Sequence, residues 1–133
     1  MNKSKILKIY LFLSGLILTA VGGLTTFNPI NVKANEGIEI AGNASALNDV
    51  RSFGMLLLAT ALLSFLGSFR SSIRKTASII TFLLFLSLGL GRLLSIILDG
   101  MPSDGIVKAT GLEFILGFAG LALFLIHQKK QSF

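Results

Sequence analysis

Four uncharged stretches constrain this chain before any other feature does. Residues 9–32 carry no charge, and neither do residues 53–69, 77–91 and 114–126. A helix crossing a hydrocarbon core of ~30 Å needs about 20 predominantly apolar residues. Lipid offers no partner to backbone groups, so a spanning segment must be helical or part of a closed barrel. The chain therefore reads as an all-α membrane protein, a four-transmembrane-helix bundle with spans at about 6–27, 51–69, 77–98 and 110–127. Its residues are 53% hydrophobic and only 14% charged, where a soluble domain has about a quarter charged. With no linker or low-complexity stretch to divide it, residues 1–133 are expected to form a single membrane domain.

The connections follow from what interrupts the apolar runs. Residues 28–49 are the longest polar connection, in which Glu36–Gly42 alternates and suggests a short extended piece. Asn43-Ala-Ser45 matches a glycosylation acceptor, a pattern common by chance. Ser45–Arg51 reads as the first turns of the second helix, starting in the interface. Arg70–Thr76 is a short basic turn that makes spans two and three antiparallel neighbours, and Asp99–Gly105 is a loop marked by Gly and Pro. The first stretch also fits a cleaved leader loosely, with its basic start and Val32-Lys33-Ala34 after the apolar run. Its length and the three apolar segments behind it favour an uncleaved helix.

Basic residues set the orientation, because short cytoplasmic loops carry the excess of Lys and Arg. With four spans and the N-terminus inside, Lys3, Lys5, Lys8, Arg70, Arg74, Lys75, Lys129 and Lys130 lie on the inner side. Lys33, Arg51 and Lys108 lie outside, as do all six acids. Eight against three predicts that both termini are cytoplasmic.

Several function classes are disfavoured. The chain has no cysteine and one histidine, His127, so no cofactor and no metal site is expected. Nucleic acid is not an expected partner, since the twelve basic residues are scattered with little aromatic interleaving. Membrane lipids are.

Two charges fall inside the spans, where charge is costly and points by default to function. Arg92 lies in the third span, fifteen residues beyond Ala77, or ~22 Å at a rise of about 1.5 Å per residue. Glu113 lies fourteen residues before His127 in the fourth, ~21 Å from the same side. The counts are independent, so the opposite charges are expected to meet as the floor of an outward-facing polar pocket. Arg51, Asn48, Asp49 and Asp99 would form its rim. Glu113, Gly117 and Gly120 share one helix face, and Ser87, Gly91 and Ser95 form a stripe beside Arg92; such stripes let membrane helices approach closely. The candidate ligand-binding residues are thus Arg92, Glu113, Arg51, Asp99, Asn48, Asp49 and Ser95. Blander readings exist for each charge. Thr110-x-x-Glu113 is a capping-box pattern, in which Glu113 only satisfies a helix start. Arg92 could snorkel toward headgroups, or join Glu113 in a bridge that binds nothing.

Leu47-Asn-Asp-Val-Arg-Ser-Phe-Gly54, Gly91-Arg92-x-x-Ser95, Asp99-Gly-x-Pro102 and Glu113 together resemble a small bacterial membrane family known as domain of unknown function 4345. The resemblance runs from about Ile9 to Ile126. It implies four transmembrane helices and a bacterial source, hence a multi-pass protein of the cell inner membrane, and it implies no reaction. In the family's pattern a glycine pair stands where this chain has Gly54-Met55.

Three functions fit these residues. One is a non-enzymatic pocket for a small anionic molecule or a lipid, because arginine's planar fork suits carboxylate and phosphate. Another is an enzyme with Glu113 or Asp99 as acid or base. The third is a transporter subunit, which with four helices would need a homo-oligomer.

Overall fold

The computed structural model describes residues 3–131, with the side chains of Lys3, Lys130 and Gln131 outside that description. The inner charges expected of Lys3 and Lys130 therefore lie outside it as well. Five helices follow one another: α1 (Lys3–Phe27), α2 (Pro29–Asn35), α3 (Ala44–Phe69), α4 (Ser71–Asp99) and α5 (Asp104–Gln131). All but α2 are long and apolar enough to cross a membrane. Among the described residues there is no strand, so Glu36–Gly42 forms turns and irregular chain instead of an extended piece. One end of the bundle, where α1 and α4 finish and α3 and α5 begin, carries Glu36, Glu39, Asp49, Asp99 and Asp104; it is called the acidic end below.

Each helix stops for a local reason. Pro29 has no N–H to offer the carbonyl of Thr25, so α1 breaks at Asn28 and restarts as α2 with proline in its first turn. Asn43 starts α3 by accepting a hydrogen bond from the Ala46 N–H through its side chain, at 3.1 Å. Between α3 and α4 stands one extended residue, Arg70. Arg74, read as part of a short basic turn, lies instead within α4 and is buried at 7% exposure. Its Nε donates to the Gly67 carbonyl at 2.9 Å and its Nη2 to that of Ser68 at 3.1 Å. Those are among the last carbonyls of α3, which have no partner within the helix. A charged group that satisfies them lets α4 begin at Ser71, six residues before the expected span.

Around the bundle, α1 packs on α3, α3 on α4, α4 on α5 and α5 on α1. The α1–α3 contact is close because Gly22 faces Gly54, where an added Cβ would press on the Thr26 backbone and side chain. Met55, where the family's pattern has a second glycine, points outward at 53% exposure, so this close approach needs only the first. Between α1, α4 and α5, Tyr10 lies over Gly120 and donates to the Leu116 carbonyl at 2.8 Å. Leu7, Tyr10, Leu11 and Ala77 form one apolar cluster, and Leu18, Leu57, Ala61 and Phe85 a second nearer the acidic end. The Ser64 and Thr81 hydroxyls join α3 to α4 at 2.7 Å, with both side chains fully buried. Polar side chains bonded across helices hold such bundles together in lipid, where apolar surface alone gives no preference for protein over acyl chain. Outward, Leu13, Leu62, Leu83, Ile115 and Phe118 are exposed, the surface a bilayer requires.

Candidate functional site

Arg92 and Glu113 meet. Arg92 Nε lies 3.0 Å from Glu113 Oε1 and 3.0 Å from Oε2, a bifurcated charge-assisted hydrogen bond between α4 and α5. The backbone explains the meeting. Gly89, one turn before Arg92, presents a bare Cα to the ring of Phe114, next to Glu113 in sequence. A Cβ at Gly89 would sit 3.2 Å from that ring, so the two helices pack closely beside the charges. The Glu113 side chain is 11% exposed and that of Arg92 28%.

Glu113 is not a helix-start residue. Because α5 begins at Asp104, Thr110 lies within the helix and its hydroxyl donates to the Ile106 carbonyl at 2.8 Å. The capping-box reading therefore fails: Glu113 is in the third turn and its carboxylate turns to Arg92. The snorkelling reading of Arg92 fails with it, since the guanidinium is held sideways across the bundle.

Beside the pair is a cavity of about 130 Å³ to which all four long helices contribute. Its walls are Ile17, Leu18 and Val21 of α1, Phe53 and Leu57 of α3, Phe85 and Leu88 of α4, and Ala109, Leu112 and Leu116 of α5. Its polar groups are Arg92, Glu113 and Glu36. The expected pocket was polar; this one is an apolar chamber with a few convergent charges. That is the usual make-up of a small-molecule site.

Only Arg92 and Glu113 of the expected residues reach it. Arg51 points the other way: its Nη1 donates to the Thr26 carbonyl at 2.6 Å and caps the last turn of α1. Asn48 and Asp49 are exposed and, with Ala44 and Ser45, line a separate shallow groove on α3. Asp99 accepts from the Ser95 hydroxyl at 2.9 Å on the exposed side of α4. Ser87, Gly91 and Ser95 are exposed too, and a Cβ at Gly91 would meet nothing. The reason is angular, since each residue turns a helix by about 100°. Phe85, Gly89 and Arg92 define the inward face of α4, and Gly91 is one such step away from Arg92. The Glu113 stripe behaves as expected, with a Cβ at Gly117 meeting Leu86 and one at Gly120 meeting Tyr10 and Phe82.

Glu36 is the residue that sequence reasoning missed. It caps the C-terminal end of α2 and is held by Lys33 Nζ at 2.8 Å from its Oε2. The signal available was indirect: the chain between α1 and α3 joins two helix ends at the acidic end, so one of its acids lies over the bundle.

Four apolar helices wrapped around an ion pair define a membrane protein of the small helical-bundle class. More particularly, the chain belongs to the DUF4345 family, a domain of unknown function, whose model matches residues 6–125. No curated protein and no solved structure matches the chain.

Proposed function

We propose that this is a multi-pass protein of a bacterial inner membrane whose cavity, near the acidic end, binds a small amphiphilic molecule or part of a lipid. The observation that carries the reading is the donor count at Arg92. A guanidinium has five N–H donors. One, on Nε, serves Glu113, and among the described residues no other hydrogen bond engages the side chain. The terminal amino groups are left to hydrogen-bond a ligand whose apolar part lies among Leu57, Leu88 and Leu116. A purely structural bridge would favour the side-by-side fork in which both carboxylate oxygens take separate donors. The acid–base alternative is weaker. Both oxygens of Glu113 already face Arg92 Nε, and Asp99 lies outside the cavity.

Native mass spectrometry of protein released gently from its membrane tests the proposal. Wild type is expected to retain a small-molecule adduct that Leu88→Trp, which fills the cavity, loses. Bare wild-type protein, or an adduct retained equally by the variant, would contradict the reading.

The acidic end faces outward by the distribution of Lys and Arg, with residues 1–133 as one four-helix unit and both termini cytoplasmic. Because the chain has no cysteine, single cysteines report orientation without background. A membrane-impermeant maleimide applied to spheroplasts should label Ser45→Cys directly and Ser72→Cys only after permeabilisation. The opposite pattern would invert the topology.

A further inference from the structure

The charges around the cavity are already matched, and that restricts what can enter. Arg92 is neutralised by Glu113, and Glu36 is held by Lys33, which does not line the cavity. The lining itself therefore carries one positive group and two negative ones. A carboxylate arriving at the free amino groups of Arg92 would bring a third negative charge next to Glu113 and opposite Glu36. It could take Arg92 for itself only by leaving Glu113, 11% exposed, without a partner. Truncating or displacing one member of such a pair is penalised mainly through the charge left behind. A cation would find the two acids already engaged and Arg92 beside it.

Size restricts the occupant further. A dry apolar cavity of roughly 150 Å³ holds a benzene molecule. The present one, about 130 Å³ and only partly enclosed, takes a group of that order with any longer chain extending out between the helices. On that basis we infer that the cavity selects a neutral, ring-sized group bearing a carbonyl-type hydrogen-bond acceptor, in preference to a carboxylate or a cation of the same shape. The acceptor takes its hydrogen bonds from the terminal amino groups of Arg92, and the ring lies between Leu57, Leu88 and Leu116. This inference rests on the reading of the cavity as a binding site. It replaces the anionic ligand that an arginine taken alone would suggest.

Three probes of one shape separate the possibilities: 4-butylbenzamide, 4-butylbenzoate and 4-butylbenzamidine, whose heads carry zero, negative and positive charge near neutral pH. Apparent affinities are read from ligand-dependent thermal unfolding of the detergent-solubilised protein. Micelle partitioning and binding elsewhere are removed by subtracting the response of Leu88→Trp and, should that variant not fold, of Ala109→Phe. The benzamide is expected to stabilise wild type, with both charged probes at least about tenfold weaker, since placing like charges together at a desolvated contact is strongly penalised. Equal or tighter binding of the benzoate or the benzamidine overturns the charge selection while leaving the binding-site reading standing. No stabilisation by any of the three, or stabilisation that persists unchanged in the filled variants, overturns the binding-site reading itself.

Discussion

Replacing Glu113 with leucine is expected to destabilise the protein by about 3 kcal/mol, the lower end for removing one partner of a buried ion pair. The lower end is the right one because the Arg92 side chain keeps 28% of its exposure and has some freedom to turn its head toward the interface. Most of the loss comes from the charge left behind and little from the bond itself. The bond joins α4 to α5 beside the close contact of Gly89 with Phe114, so the damage should appear there. Unfolding in mixed detergent micelles would measure it. A loss below about 1 kcal/mol, the range of exposed pairs, would mean that the two charges do not hold the helices together.

The second large effect is expected at Gly120. A leucine there would meet the Tyr10 phenol and, at 2.8 Å from the new Cβ, the Cβ of Phe82. The Phe82 atom moves only with the α4 backbone, so relief requires α5 to shift away from α1 and α4 together. Overpacking of this kind costs about 1–3 kcal/mol, and the loss of the Tyr10–Leu116 hydrogen bond adds about 1 kcal/mol. Gly120→Leu should therefore lose about 3 kcal/mol, and Gly120→Ala less. Gly91→Ala provides the contrast, since its Cβ meets nothing and alanine is the better helix former by up to about 1 kcal/mol. It should be neutral or stabilising. Equal losses at the two glycines would show that α5 does not pack on Tyr10 as described.

The sequence carried some of this architecture and hid the rest, for identifiable reasons. Apolar runs marked the four long helices because lipid demands helical, uncharged segments, and nothing local competes with that demand. Helix ends were less legible. An arginine in a basic turn looks like a solvated charge, whereas Arg74 folds back onto the α3 carbonyls and lengthens α4. The start of α5 was hidden because Asp99–Gly105 reads as loop, and yet Asp104 and Gly105 already lie within the helix. At the site, counting residues along two antiparallel helices gave Arg92 and Glu113 the same depth, because rise per residue is nearly constant. Depth says nothing of direction around the axis. Arg51, Asn48, Asp49, Ser95 and Asp99 had suitable heights and the wrong azimuth, and Glu36 came from a connection with no periodicity to read.

Everything proposed for the acidic end depends on Arg92 and Glu113 acting as one unit across the α4–α5 contact. A double-mutant cycle with Arg92→Met and Glu113→Leu, read as unfolding free energy in mixed micelles, tests this directly. Each single change is expected to cost about 3 kcal/mol, whereas the double change, which replaces the pair by apolar groups of similar volume, should cost less than about 1 kcal/mol. A double change that costs the sum of the two singles would contradict the pairing, and with it the floor of the proposed site.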